Sequence, residues 1–314
     1  MKRRNELLLL LTALIWGVAF VAQSEGGDTI GPFSFNCIRS FIGGLALLPV
    51  IKLLDKLGLS QKPKDKKERK TLFLGGCFCG VFLFIASSLQ QLGIYMGTEA
   101  GKAGFLTACY IILVPILGIF LKKKCGINVW VGVFLTLIGL YLLCMNGSFS
   151  MRASDLLVLA CALFFSFQIL VVDHYSPLVD GVRMSCIQFF VVGILSLVPM
   201  TVSEIKPLSG NLGNWLGGFG NGAAWIALLY AGVLSCGVAY TLQIVGQKNV
   251  DPAIASLLFS FESVFSVLAG WIILKEALSI RALIGCGIIF IAVIIAQLPE
   301  DKLPLVKTKK GMLK

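Results

Sequence analysis

Long apolar runs alternate with short polar segments along the whole chain. Each run holds about twenty residues, and twenty helical residues at about 1.5 Å each reach about 30 Å, the thickness of the hydrocarbon core of a bilayer. The pattern therefore predicts ten transmembrane helices, called spans 1 to 10, with connections that leave no room for a soluble domain. Their ranges are 6–25, 33–53, 71–95, 101–121, 127–145, 154–173, 182–201, 223–246, 253–274 and 280–298.

The composition agrees with this interpretation. Hydrophobic residues make up 57% of the chain and charged residues 14%, against about 25% charged residues in ordinary soluble domains. The mean hydropathy is +0.90. In a soluble protein the net charge of +11 would suggest nucleic acid as a partner. In a membrane protein, positive residues gather in the cytoplasmic loops and are attracted to anionic lipid headgroups, which explains the charge. No nucleic acid is therefore expected as a partner.

The distribution of positive residues predicts the orientation in the membrane. With the amino terminus inside, the inner segments hold 21 Lys and Arg residues and the outer segments hold 5. Because positive residues favour the inner side, we expect a multi-pass protein of the cytoplasmic membrane with both termini in the cytoplasm. The basic start, MKRRNE, also occurs in secretory signals, but no A-x-A-like cleavage site follows it. Span 1 is therefore predicted to be retained.

A weak internal repeat divides the chain into two halves. An offset of 149 residues aligns Gly44 with Gly193, and an offset of 152 aligns spans 3 and 4 with spans 8 and 9. The sequence therefore predicts two domains, residues 1–148 with spans 1–5 and residues 149–314 with spans 6–10. Because five spans separate the copies, they cross the membrane in opposite senses. This predicts an all-α membrane fold with an inverted five-plus-five repeat, which favours a mid-membrane site and alternating access.

Four segments carry a resemblance to a known family. They are ALIWGVAF at 13–20, the arginine of CIRSF at Arg39, AGKAGFLTACYIILVPIL at 100–117 and FESVFSVLAGWIILKEAL at 261–278. These segments resemble the EamA family of the drug/metabolite transporter superfamily, whose pattern has an acid in the ninth span and a second acid at the following helix end. The resemblance implies a secondary transporter, commonly an exporter of amino acids or other small metabolites.

The chain departs from the family pattern at two positions. Ser263 stands where the family often has a proline after the acid of the ninth span. Lys124 stands where the first half commonly has the second acid, which the second half keeps as Glu276.

Two charged residues lie deep in the predicted spans, Arg39 in span 2 and Glu262 in span 9. An ionised side chain that faces lipid at this depth costs about 2.5–3.5 kcal/mol, so both are expected to face the interior. Glu262 is interpreted either as a protonatable or substrate-pairing acid, the coupling residue, or as a structural partner of Arg39 or another helix. Arg39 does not release its proton, which favours a structural or gating pair, although it also suits a substrate carboxylate.

Uncharged residues complete the candidate binding site. Because Gln91 and Gln243 are equivalent under the repeat, we expect them to approach each other across the pseudo-twofold axis and line a central cavity. The alternative for these amides is interhelical hydrogen bonding, and the alternative for Trp16 is packing or lipid contact. Tyr110 is included as the repeat equivalent of Glu262. The predicted substrate-binding residues are Trp16, Gln23, Asn36, Arg39, Gln91, Tyr95, Tyr110, Tyr240, Gln243 and Glu262.

The sequence contains no motif for catalysis or for a cofactor. A membrane-embedded enzyme acting on lipids needs catalytic residues clustered in such motifs. The sequence has no H-E-x-x-H, no G-x-S-x-G and no aspartate-rich pair within a span. All ten cysteines except Cys125 fall inside spans, and neither disulfides nor a metal site are expected.

These observations together predict a secondary transporter rather than an enzyme. The substrate is expected to be a small organic metabolite, with an amino-acid-like compound favoured and export favoured over import. A membrane-embedded enzyme acting on lipids and a passive facilitator or channel remain the alternatives. The expected partners are the small-molecule substrate and the lipid bilayer, with no cofactor; a homodimer is left open.

Overall fold

The structure is a computed structural model that describes residues 2–98, 100–123, 125–144, 151–205, 212–273 and 279–298. Within these ranges every regular element is a helix, which confirms the predicted all-α class. The helices of the first half are α1 (Lys2–Ile30), α2 (Pro32–Lys56), α3 (Lys66–Tyr95), α4 (Ala100–Ala108), α5 (Tyr110–Phe120) and α6 (Ile127–Cys144).

The second half contains eight α-helices and two π-helical segments among its described residues. The α-helices are α7 (Ala153–Tyr175), α8 (Gly181–Pro199), α9 (Leu212–Gly218), α10 (Gly222–Leu229), α11 (Tyr240–Gln247), α12 (Pro252–Phe259), α13 (Phe261–Ile273) and α14 (Ile280–Gln297). The π-helical segment Met200–Ile205 extends α8, and the π-helical segment Tyr230–Ala239 joins α10 to α11.

The predicted spans correspond to these helices. In the described part of the chain, nine helical stretches are long and apolar enough to cross a membrane, and span 1 lies within α1. Spans 4 and 9 are each divided, at Cys109 between α4 and α5 and at Ser260 between α12 and α13. The connection after span 7 contains the short helix α9. The domain boundary at 148/149 and the residues Lys124 and Glu276 lie outside the described residues.

Polar residues at the ends of the apolar runs fix where several helices begin. Asp65, Asp180 and Ser279 each precede a helix and accept a hydrogen bond from a backbone N–H of its first turn, at 2.7, 3.0 and 3.1 Å. Pro252 begins α12 directly after Asp251, whose side chain accepts from another first-turn N–H at 2.9 Å. These oxygens satisfy N–H groups that have no partner within the helix. The polar segments therefore determine the starts of the helices that follow them.

Reciprocal contacts between spans 2 and 7 follow the pseudo-twofold symmetry of the two halves. The Cys37 Sγ lies 3.5 Å from the carbonyl oxygen of Gly193, and the Cys186 Sγ lies 3.5 Å from the carbonyl oxygen of Gly44. Each pair maps onto the other under the offset of 149 residues. Glycine has no side chain, so it lets a neighbouring helix approach closely. These four residues, which the offset aligns in sequence, therefore occupy equivalent positions in the fold.

The two halves interlock. Helix α6 packs along α14, and α2 packs along α8. Helix α3 lies against α7 and α8, just as the stretch from α10 to α11 lies against α1 and α2. Because these partners belong to opposite halves, both halves build the interior of the molecule.

Ion pairs connect span 4 to span 6 near both ends of their contact. At one end the buried Asp155 accepts hydrogen bonds from Lys102 Nζ at 2.5 Å and from Thr98 at 3.0 Å. At the other end Lys123 pairs with Asp173. A helix pair that is fixed at both ends resists sliding, so we expect spans 4 and 6 to move as one unit.

Gly139 and Gly285 bring α6 and α14 into close contact. A Cβ atom at position 285 would lie 2.6 Å from the carbonyl oxygen of Gly139. We expect Gly285→Ala to push the two helices apart and lower the free energy of unfolding by about 1–3 kcal/mol, measured as a lower melting temperature in detergent. Gly287→Ala on the same helix is the control, because a Cβ there meets no atom within 4 Å. Equal losses in both variants would contradict this packing argument.

Candidate functional site

A central cavity lies between the two halves, with walls from spans 1–4 and 6–9. Twelve of its lining residues form six pairs that are equivalent under the repeat offsets of 149 and 152 residues. The pairs are Trp16 with Phe165, Phe20 with Ile169, Ser40 with Phe189, Leu83 with Ser235, Thr107 with Phe259, and Tyr110 with Glu262. The cavity therefore lies on the pseudo-twofold axis, but its two sides differ in chemistry.

The cavity is narrow in this conformation. Its volume is about 50 Å³, enough for about four water molecules. Sites for small organic molecules usually have volumes of about 300–1,000 Å³. The walls must therefore move apart before a molecule of that size can enter.

Glu262 lies at the start of α13, directly after the point where span 9 is divided. Its side chain lines the cavity and is 5% exposed. The Tyr110 hydroxyl donates a hydrogen bond to Glu262 Oε1 at 3.0 Å, which joins the equivalent positions of spans 4 and 9. None of the ion pairs between described residues includes Glu262. The acid thus has an interhelical hydrogen bond, and the ion pair with Arg39 is not formed in this structure.

Arg39 contributes a buried cation to the same cavity. It is 6% exposed, and its Nη2 donates a hydrogen bond to Asn36 Oδ1 at 2.5 Å. The guanidinium lies over the Phe35 ring, with 5.3 Å between its central carbon and the ring centroid. Its recorded partners among the described residues are thus an amide and an aromatic ring, neither of which carries a negative charge. No acidic side chain among the described residues therefore forms an ion pair with this buried positive charge.

Aromatic rings form one wall of the cavity. The Trp16 ring centroid lies 4.6 Å from that of Tyr240 and 5.3 Å from that of Phe259. Tyr240 also contacts Phe189, with 5.3 Å between ring centroids. The Trp16 Nε1 is buried and has no hydrogen-bond acceptor within the described structure. Trp16 therefore packs against other rings and also has a donor available to a ligand.

The sequence matches the EamA-like transporter family twice, over residues 3–145 and over residues 152–297. The chain belongs to this family. The two matches together cover almost the whole chain, and they confirm the resemblance seen in its four sequence segments.

Relatives of this EamA-like protein carry the same general description. The chain is 31% identical over 297 residues to an uncharacterized transporter of Archaeoglobus fulgidus, in an alignment covering 93% of this chain and 85% of that protein. It is 24% identical over 298 residues to the uncharacterized transporter YoaV of Bacillus subtilis, covering 89% and 94%. A crystal structure with 19% identity superimposes with a TM-score of 0.74 over 97% of this chain and all of that one. At that identity the similarity indicates the fold alone.

The structure of this EamA-like chain brings most of the predicted binding residues together. The predicted residues that line the cavity are Trp16, Gln23, Arg39, Tyr110, Tyr240, Gln243 and Glu262. Asn36 lies outside the lining but accepts the hydrogen bond from Arg39.

Gln91 and Tyr95 do not line the cavity. Gln91 is fully buried and donates to the backbone carbonyl of Gln23 at 3.0 Å, so it does not meet Gln243 as expected. Tyr95 ends α3 and is 50% exposed. The neighbouring Gln90 lines the cavity instead. Because consecutive residues of an α-helix are rotated by about 100°, Gln90 and Gln91 point to different faces of α3.

Sequence reasoning missed several polar residues of the cavity. Gln90 donates a hydrogen bond to Thr107 Oγ1 at 3.0 Å, and both residues line the cavity. Gln168 also lines it, and its repeat equivalent is Ala19, so the repeat gave no signal there. The available signal was the presence of these polar residues within apolar spans.

The described residues contain no evident metal site. No three side chains of His, Cys, Asp or Glu type come close enough together there to hold a metal ion. The groups that face the cavity are instead one acid, one guanidinium, amides, hydroxyls and aromatic rings. This arrangement can bind an organic molecule through charge, hydrogen bonds and ring contacts.

Proposed function

We propose that this EamA-like transporter exports a zwitterionic amino acid, or a close analogue, across the cytoplasmic membrane by alternating access. One observation carries the proposal: Arg39 and Glu262 face the same cavity, and neither has an oppositely charged partner among the described residues. Buried charges without partners are costly. A ligand with one carboxylate and one ammonium group would neutralise both.

In the proposed complex, the substrate carboxylate binds Arg39 and the substrate ammonium binds Glu262. A guanidinium has five N–H donors, of which Asn36 accepts one, so donors remain for a bidentate contact with a carboxylate. Glu262 uses Oε1 to accept from Tyr110, which leaves Oε2 for the ammonium group. The aromatic wall would enclose the substrate side chain.

The inverted repeat supports alternating access. A cavity of about 50 Å³ is too small for an amino acid, so the walls have to separate during the cycle. If the two halves exchange their conformations, the cavity opens to one side of the membrane and then to the other. The interlocked packing of the halves would then make the two openings mutually exclusive.

The substrate ammonium and a proton would compete for the carboxylate of Glu262, and this competition would couple substrate movement to proton movement. When the ammonium leaves Glu262, a proton can take its place and remove the cost of a buried charge. A proton that binds from outside and leaves into the cytoplasm would thus exchange for one amino acid moving outward. Export would then be driven by an inward proton gradient.

Counterflow in proteoliposomes tests the substrate class. Vesicles loaded with one unlabelled L-amino acid receive a trace of the same labelled compound outside, for each of the twenty common amino acids in turn. We expect the label to accumulate transiently for at least one of them, because a transporter exchanges substrate whereas a passive channel only equilibrates it. Accumulation for none of the twenty would contradict the proposal.

Two competitors in the same assay test whether binding requires both charged groups of the substrate. The N-acetyl derivative of the transported amino acid lacks the ammonium group, and its amide derivative lacks the carboxylate. Each should inhibit counterflow at least about tenfold more weakly than the parent amino acid, because each leaves one buried charge unpaired. Equal inhibition by parent and derivatives would rule out recognition by Arg39 and Glu262.

A further inference from the structure

The helices around the cavity form two bundles, each built from both halves of the chain. In the α3 bundle (spans 3, 4, 6 and 7), α3 packs against α7 and α8, and two ion pairs join span 4 to span 6. In the α1 bundle (spans 1, 2, 8 and 9), α1 packs against α13, and the stretch from α10 to α11 packs against α1 and α2. The repeat offsets map one bundle onto the other. Because the cavity lies between the bundles, they have to separate at one end for it to open.

The contact between α2 and α8 joins the two bundles at the pseudo-twofold axis. Phe41 and Phe190 are equivalent under the offset of 149 residues, and their ring centroids lie 6.3 Å apart. Each ring also covers a glycine of the opposite helix, Phe41 over Gly193 and Phe190 over Gly44. The symmetry maps this contact onto itself, so it is present whichever way the cavity opens. We therefore expect the opening to occur at the ends of α2 and α8.

A carboxylate holds the outer ends of these two helices together. Glu204, on the π-helical extension of α8, accepts hydrogen bonds from the backbone N–H groups of Phe33 and Ser34 at 2.7 and 2.8 Å. The Ser34 hydroxyl donates to the same carboxylate at 2.5 Å. Gly31 precedes α2 and has no side chain to cap it. Glu204 therefore supplies, from the opposite bundle, the negative cap that a helix start favours.

A second carboxylate holds the inner ends together. Arg183, in the first turn of α8, donates from Nη2 to both carboxylate oxygens of Asp55, at 2.6 and 2.7 Å. Asp55 lies in the last turn of α2, and Lys62 adds an ion pair to it at 3.2 Å. Hydrogen bonds between two charged groups are stronger than neutral ones. Both ends of the contact between α2 and α8 are thus closed in this structure.

The repeat maps one of these closures onto the other. Adding 149 to Asp55 gives Glu204, and adding 149 to Ser34 gives Arg183. In each closure, an acid near the end of one helix binds a residue at the start of the other. An inverted repeat places such equivalent contacts on opposite sides of the membrane. With both closed, the cavity between the bundles has a volume of only about 50 Å³.

We propose that Glu204 and Asp55 are the gate acids of this transporter. The contact of Glu204 with the start of α2 breaks when the cavity opens outward, and the contact of Asp55 with Arg183 breaks when it opens inward. In each case the bundles pivot about the contact of Phe41 with Phe190 while the other gate stays closed. This inference rests on the alternating access of the proposed function and not on its amino-acid substrate.

Hydrogen–deuterium exchange of the purified full-length protein, read peptide by peptide by mass spectrometry, tests the gate acids without a substrate. Two sets of cavity-lining residues report on the two sides. The outer set is Phe20, Gln23, Ser87 and Gln90, and the inner set is Gln168, Ile169, Tyr240 and Gln243. Glu204→Gln keeps the shape but removes the charge that the N–H groups bind, so backbone exchange in the outer set should rise about tenfold, with no rise in the inner set. Asp55→Asn should have the reverse effect.

The controls remove polar groups that make no contact across the bundles. Ser203 is exposed and donates to a carbonyl of its own segment, and Asp251 accepts from a backbone N–H of its own helix. Ser203→Ala and Asp251→Asn should leave exchange in both sets unchanged. Ser34→Ala and Arg183→Gln remove the other partner of each gate and replace the acid variants if those do not fold.

The pattern of exchange separates a gate from a merely stabilising contact. General destabilisation would raise exchange in both sets. Equal rises in both sets, or changes confined to the substituted peptides, would overturn the gate assignment. If that happens while counterflow succeeds, only the gate assignment falls. If counterflow fails for all twenty amino acids while exchange responds on opposite sides as expected, the substrate proposal falls and the gates stand.

Discussion

Glu262→Gln should abolish the response of transport to a pH gradient while exchange of the amino acid remains measurable. Glutamine keeps the shape of the side chain and an acceptor oxygen for Tyr110, which donates to Glu262 at 3.0 Å in the wild type, but it carries no titratable proton. A gradient of one pH unit across the membrane corresponds to about 1.4 kcal/mol for each proton that crosses it. With such a gradient, wild-type vesicles should accumulate substrate up to about tenfold for each proton exchanged. The variant should only equilibrate it.

The matched control for this measurement is Glu6→Gln. Glu6 lies on α1 at a groove between α1, α12, α13 and α14, and it does not line the central cavity. Its replacement should leave gradient-driven accumulation intact. If Glu262→Gln also retains accumulation, another group carries the proton, and the proposed coupling role of Glu262 is wrong.

Arg39→Gln should raise KM for the transported amino acid by about 100-fold. Removing one partner of a buried, hydrogen-bonded charge pair costs about 2–5 kcal/mol, and about 2.7 kcal/mol corresponds to 100-fold. Arg39→Lys keeps the charge but loses the planar fork that binds both carboxylate oxygens, so a rise of about tenfold is expected. Both constants are measured by counterflow with the same amino acid.

Arg281→Gln is the control for Arg39. The guanidinium of Arg281 also lies over an aromatic ring, 5.2 Å from the Tyr141 centroid, but outside the cavity. Its loss should leave KM unchanged. A similar rise in both variants, or no rise in Arg39→Gln, would show that Arg39 has a structural role, whereas a rise confined to Arg39 would support carboxylate binding.

The sequence predicted the spans because lipid restricts the structures that a chain can adopt. A backbone in the hydrocarbon core has to satisfy its own hydrogen bonds, so an apolar run of sufficient length forms a helix. The repeat was recognisable where close contacts restrict residue size. Gly44 and Gly193 each accept a reciprocal thiol contact from the other half, and the same two residues helped to identify the offset of 149.

The rotation of each helix could not be predicted in the same way. Gln91 and Gln243 are equivalent in sequence, yet only Gln243 lines the cavity. The π-helical segment Tyr230–Ala239 precedes Gln243, whereas α3 is α-helical throughout. A π turn closes with an i→i+5 hydrogen bond, so residues after it are rotated relative to those after an uninterrupted α-helix. The repeat therefore predicted depth along the span but not the direction of the side chain.

The interlocking of the halves also bears on how the cell makes this protein. Spans 1–5 leave the ribosome first, when several of their polar groups still lack their acceptors. Tyr110 has its acceptor on Glu262, and Asn128 has one on the carbonyl of Ala296 at 2.7 Å. Lipid offers these groups no replacement. We therefore expect the nascent first half to depend on the insertion machinery until the second half arrives, and a truncated chain that stops after span 5 to be degraded by quality-control proteases.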